Sequence, residues 1–142
     1  MKICVDTSVL LDVLKDEYPE YQTRFYNALS EGEKLFAPVV VYAELMPQFG
    51  GDARLLTEFF EDHRITIKEL DVPSVEIAAR RWMSYLKKKK KVKCPECGHV
   101  LPFKQHVLSD FYIGGFALSN CDMILTRDRG IYRTYFKDLG KY

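Results

Sequence analysis

The stretch Lys2-Ile3-Cys4-Val5-Asp6 is matched near the other end of the chain by Met123-Ile124-Leu125-Thr126-Arg127-Asp128. Each is a short apolar run that closes on an acid. Apolar runs of this length without polar alternation read as strands buried on both faces, the pattern of a parallel sheet covered by helices. In open sheets of that kind, ligands bind at the carboxyl edge of the strands. An acid just past that edge in two strands therefore marks a candidate site.

Outward from these strands, VLLDVLKD reads as a short helix and YPEYQTRFYNALSEG as a second, its end marked by Gly32. LFAP is a second strand, followed by a helix over VVVYAELMPQF that Pro47 and the Gly50-Gly51 pair disturb or close. DARLLTEFFEDH has helical apolar spacing with Asp52 as candidate N-cap, and ITIKEL alternates as a third strand. Pro73 is placed to begin a helix through VEIAARRWMSYL that ends in a lysine run. FYIGGFAL after Asp110 is helical, MILT is a strand, and IYRTYF is a closing amphipathic turn or helix. The alternation predicts a three-layer α/β/α, Rossmann-like domain with a central parallel sheet. It is expected to span residues 1–142 as a single domain, with a basic, cysteine-bearing insertion at about 87–106.

At 142 residues the chain is long enough for one core that buries roughly 70% of the surface exposed when unfolded. Hydrophobic residues make up 47% and charged residues 29%, which excludes a disordered chain. No apolar run reaches the ~20 residues of a membrane span, and MKICVD lacks signal-peptide architecture, so a cytoplasmic location without membrane association is expected. The formal charge is +1, yet Lys87, Lys88, Lys89, Lys90, Lys91 and Lys93 are six of the 21 basic residues. Without those six the rest of the chain stands at −5, a basic segment on an acidic body that permits local phosphate binding.

Two further acids accompany apolar segments of helical length, Glu44 in VVVYAEL and Asp110 before FYIGGFAL. A carboxylate beside a buried apolar run needs compensation, so four such placements point to one shared cationic partner. Hard oxygen ligands suit Mg²⁺ or Mn²⁺. The competing reading makes each acid an N-cap or an exposed loop carboxylate, with Ser109 able to replace Asp110 as a cap. Four acids arising together at one sheet edge count against it. Asp12 and Asp122 lie nearby in sequence and are expected to be structural.

Asp6-Thr7-Ser8-Val9-Leu10-Leu11-Asp12, Ala43-Glu44-Leu45, Asp110 at the head of a Gly- and Ala-containing helix, and Thr126-Arg127-Asp128 occur in that order over most of the chain. In this ordered set the sequence resembles the PIN-domain ribonucleases, which include the VapC-like toxins of toxin–antitoxin modules. The resemblance implies a PIN-like fold and a metal-dependent endoribonuclease. Asp6, Glu44, Asp110 and Asp128 would be the catalytic residues and the Mg²⁺ or Mn²⁺ ligands, directly or through water, with Ser8 and Thr126 as supporting hydroxyls. It also implies a homodimer and, for a toxin, an antitoxin protein as partner. Phosphodiester cleavage needs an activated water, charge stabilisation and help for the leaving oxygen, all of which bound divalent ions supply. The surroundings of the three histidines suggest no metal-free nucleophile.

The lysine run, Lys87 to Lys91 with Lys93, is a candidate for the RNA backbone, since each neutralised phosphate releases counterions. Arg127, Arg129 and Arg133 flank Asp128 as further phosphate contacts, and Tyr112 and Tyr132 are candidates for stacking on unpaired bases. The plain alternative is a solvated helix end whose lysines complement the helix dipole. Cys94-Pro95-Glu96-Cys97-Gly98-His99 looks like half of a zinc ribbon, to be completed by His99, His106 or Cys121. A mixed-ligand zinc site, a local disulfide, a site completed by a partner and an inert thiol pair are all consistent with the sequence. Cys4 reads as core. This insertion departs from the compact PIN pattern and leaves the four acids untouched.

A catalytically quiet RNA-binding or assembly module, using the same fold and the cysteine knuckle, is the alternative to the ribonuclease. The complete acid set favours the enzyme, because a pure RNA-binding surface gains nothing from clustered negative charge. An aspartate-nucleophile phosphatase is disfavoured, because Ser8 stands where that family carries its second Asp.

Overall fold

Five parallel strands, β1 (Lys2–Val5), β2 (Lys34–Pro38), β3 (Ile65–Lys68), β4 (Met123–Leu125) and β5 (Gly140–Lys141), form one sheet in the order β3-β2-β1-β4-β5. The computed structural model describes residues 1–88, 94–99, 107–128 and 130–142. The central strands are the apolar ones: Ile3, Cys4 and Val5 of β1 and Ile124 and Leu125 of β4 are fully buried. In register, Cys4 pairs with Phe36 of β2 on one side and with Ile124 of β4 on the other. The chain steps outward from β1 to β2 and β3, then crosses back to lay β4 on the opposite side of β1. The strand order therefore reverses between β1 and β4, and sheets of this kind open a crevice at that point.

Helices cover both faces: α1 (Thr7–Lys15), α2 (Pro19–Ser30), α3 (Val39–Leu45), α4 (Ala53–Asp62), α5 (Val72–Lys88), α6 (Val107–Asn120) and α7 (Ile131–Tyr135). The boundaries follow local chemistry. Asp52 caps α4 by accepting from Arg54 N at 3.0 Å and Leu55 N at 3.2 Å. Pro47 cannot donate into a continuing α-helix, and α3 gives way to a 3₁₀ turn over Met46–Phe49. Asp71 accepts from Ser74 N at 2.8 Å, and Asn120 at the end of α6 bonds Asp71 at 3.0 Å and Ser74 Oγ at 2.9 Å, tying the start of α5 to α6.

Helix α6 is buried over most of its length, through Phe111, Ile113, Gly114, Gly115, Phe116 and Ala117. Its two glycines set how closely its neighbours approach. A methyl at Gly115 would overlap the Ser74 carbonyl of α5, and one at Gly114 would lie 2.6 Å from the Phe136 ring beyond α7. This close packing seats α6, and with it Asp110, against the sheet.

Helix α5 runs into the lysine run as the sequence reading has it, with Lys87 and Lys88 in its last turn, where lysines complement the helix dipole. Two points differ. Strand β5 is absent from the sequence reading, because two exposed residues, Gly140 and Lys141, carry no apolar pattern. Helix α6 starts at Val107, so Asp110 lies in its first turn and is not its cap. Lys89, Lys90, Lys91, Lys93, His106 and Arg129 lie outside the described residues. No helix among the described residues is long and apolar enough to cross a membrane.

Candidate active site

Asp6 occupies the N-cap position of α1 yet makes no capping hydrogen bond. Its carboxylate turns to the sheet edge. There Oδ2 accepts from Ser8 Oγ at 2.8 Å and from Thr126 Oγ1 at 2.7 Å, and Oδ1 accepts from Tyr132 OH at 3.2 Å. Ser8 Oγ in turn accepts from Arg127 N at 3.1 Å, which fixes its proton on the Asp6 side. Burial pushes the Asp6 carboxyl above its ordinary range, and the Thr126, Ser8 and Tyr132 hydroxyls pull it back.

The other acids face the same crevice from different elements. Glu44 in α3 accepts from Thr7 Oγ1, at the start of α1, at 2.9 Å. Asp128, just past β4, accepts from Gly130 N at 3.0 Å and Arg133 N at 2.9 Å, which anchors the start of α7, and Lys141 Nζ lies 3.8 Å away. Asp110 is pushed up to about 8, first by burial and then by the negative fields of Asp6, Glu44 and Asp128. The acid that feels the other three is the one with no hydrogen-bond donor among the described residues. Asp110 and Asp128 line an open cleft of about 460 Å³ with Gly130, Ile131, Thr134 and Tyr135.

The four carboxylates thus share a field without forming a tight cage: among the described residues, no three His, Cys, Asp or Glu side chains enclose an ion directly. A divalent ion that keeps much of its water, as Mg²⁺ does, needs no such cage. The donor set is all oxygen, with an excess of negative charge that such an ion would relieve.

Two hydroxyl partners of the acids, Thr7 and Tyr132, went unrecognised in the sequence. Tyr132, read there as a base-stacking residue, is 1% exposed with its hydroxyl on Asp6, so its ring is core; burial also raises its phenol well above the ordinary value. Tyr112 is half-buried. Asp12 is structural, as expected. Its fully buried carboxylate accepts from Arg127 Nε at 2.9 Å, and the Arg127 guanidinium lies 3.9 Å from the centroid of Tyr18. Arg127 is therefore a strut between the ends of β4 and α1, engaged before any phosphate arrives. Lys88 Nζ lies 5.8 Å from the ring of Tyr135, a wall of the cleft, so the lysine run starts at the cleft's rim.

In the insertion, Cys94 N donates to His99 O at 2.7 Å and Gly98 N to Cys94 O at 2.9 Å, closing the Cys94–His99 turn. All four cysteines are free thiols, so Cys94 and Cys97 are not joined. Cys4 is core, hydrogen-bonded to the Cys121 thiol, which places Cys121 beside β1.

Residues 3–137 match the PIN domain family. The chain belongs to that family. Within a PIN domain the four acids, drawn from the ends of β1 and β4 and from α3 and α6, stand together at the switch point of the sheet. Two solved structures share the fold. One is VapBC2 from Rickettsia felis bound to a DNA fragment from their promoter, 12% identical with a TM-score of 0.68, matched over 100% of this chain and 98% of that one. The other is VapBC-1 from nontypeable Haemophilus influenzae, 20% identical with a TM-score of 0.67, over 100% and 97%. No curated protein matches this chain in sequence.

Proposed function

We propose that this PIN domain is a divalent-metal-dependent endoribonuclease of the VapC kind. The observation that carries the reading is the raised carboxyl of Asp110, held near 8 by burial and by Asp6, Glu44 and Asp128. A site that concentrates negative charge where RNA phosphates would lie is costly unless a cation neutralises it. Asp6, Glu44, Asp110 and Asp128 would hold Mg²⁺ or Mn²⁺, partly through water. Once bound, such an ion supplies a water of lowered pKa and stabilises charge on the phosphoryl oxygens. Ser8 and Thr126 hold the Asp6 carboxylate at the edge, Thr7 holds Glu44, and Asp128 is steadied by the first amides of α7. Lys88 at the rim, with Lys87 before it and Lys89, Lys90 and Lys91 after it in sequence, would engage the RNA backbone, with Arg129 next to Asp128 in sequence. The structural likeness to VapBC complexes supports an antitoxin as partner, and the family resemblance a homodimer.

The test is cleavage of single-stranded RNA by the metal-free protein with and without added Mn²⁺. Cleavage restored by Mn²⁺ and absent in Asp110→Asn purified identically is the expected result. RNA binding without cleavage at any metal concentration would replace this reading with the quiet RNA-binding module.

A further inference from the structure

The turn Cys94-Pro95-Glu96-Cys97-Gly98-His99 takes no part in the acidic site, yet it has a defined geometry of its own. Two backbone hydrogen bonds close it, Cys94 N to His99 O at 2.7 Å and Gly98 N to Cys94 O at 2.9 Å. Gly98 takes a φ of +71°, left-handed backbone that suits a residue without a side chain. The turn brings the Cys94 and Cys97 thiols into contact, and the amides of Cys97 and Glu96 donate to the Cys94 sulfur. Both thiols are free, Cys94 is half-buried and Cys97 exposed.

Among the described residues no apolar core orders this turn: residues 95–99 are all exposed. A short exposed segment without a core gains order from a bound metal. Reactive redox pairs of the same spacing usually place the first cysteine at a helix N-terminus, but here residues 95–97 after Cys94 form a turn and not a helix.

We infer that Cys94 and Cys97 form a two-thiolate half-site for zinc, separate from the acidic site in both residues and metal class. Zinc binds thiolates in closed tetrahedral sites of four ligands. Among the described residues no third His, Cys, Asp or Glu side chain joins the two thiols, so the shell is completed elsewhere, within the chain or by the same pair on a second copy.

The experiment uses the full chain purified without a metal-affinity tag, reduced and loaded with Co²⁺ as a spectroscopic stand-in for zinc. The expected result is a near-ultraviolet sulfur-to-cobalt band that zinc abolishes, present in Asp6→Asn and absent in Cys94→Ser/Cys97→Ser. One metal per chain would identify completion within the chain, and one per two chains a site shared by two copies. As a second reading, zinc should slow alkylation of Cys97 in the native wild-type protein, with EDTA reversing the effect. No sulfur-to-cobalt band, together with equal alkylation of Cys97 with and without zinc, overturns the inference. Oxygen ligation at the four acids gives no such band, so failure here leaves the nuclease reading standing, and the reverse holds as well.

Discussion

Thr126 Oγ1 donates to Asp6 Oδ2 at 2.7 Å, joining the carboxyl end of β4 to that of β1 across the point where the strand order reverses. The bond is buried and its acceptor is a carboxylate, the class of hydrogen bond that contributes most. It makes the position of Asp6 depend on the sheet itself, so the site is only as well ordered as the β1–β4 pairing.

Removing either of the two hydroxyls that come to Asp6 from outside its own turn should therefore cost stability. Thr126→Val and Tyr132→Phe should each lower unfolding free energy by about 1–3 kcal/mol in urea denaturation. Each should cost clearly less in an Asp6→Asn background, where the acceptor is no longer charged. Additive losses in the double variants would mean that these hydroxyls do not act through Asp6.

Asp110 makes the metal-free protein sensitive to base. Its carboxyl sits near 8 in the folded chain and about 3.9 when unfolded, so the folded state holds the extra proton. The stability this contributes is complete below about pH 4 and is lost as pH rises through 8, by at most about 6 kcal/mol. Urea midpoints measured between pH 5 and 9 in EDTA should fall with pH in the wild type and fall less in Asp110→Asn. Parallel profiles would show that the acids do not repel one another as the structure implies.

Arg127 and Asp12 should respond unequally. The Asp12 side chain is 1% exposed and that of Arg127 21%. Arg127→Ala strands a buried carboxylate, at a cost of about 3–5 kcal/mol, whereas Asp12→Ala leaves a guanidinium that can reach water and should cost less. Thermal denaturation of the two variants tests this. A fully stable Arg127→Ala with weakened RNA binding would return Arg127 to the phosphate-binding role read from the sequence.

The parts of this fold that were legible are those fixed by local pattern. KICV and MIL read as strands buried on both faces because they are apolar without alternation, and Asp52 and Pro47 mark the α4 cap and the 3₁₀ turn by chemistry that acts within a few residues. The four acids were legible because a carboxylate beside a buried run is conspicuous. What escaped depends on partners distant in sequence. Tyr132 looks like a surface aromatic until the fold sets its hydroxyl on Asp6, 126 residues away. The Arg127–Asp12 clasp spans 115 residues, and nothing near Arg127 in the chain separates a strut from a phosphate ligand. Strand β5 is an edge strand paired with β4, which leaves no trace in two exposed residues without apolar side chains.

The central claim is that the four acids act together on one kind of divalent ion. Titration calorimetry of Mn²⁺ into the metal-free protein at pH 7, in buffers of different ionisation enthalpy, tests it most directly. Because Asp110 is mostly protonated at that pH, binding should release close to one proton in the wild type and almost none in Asp110→Asn. Asp6→Asn and Asp128→Asn should each weaken binding by about tenfold or more, a loss of at least ~1.4 kcal/mol. Mn²⁺ affinity unchanged in both variants, with no proton released by the wild type, would contradict the account.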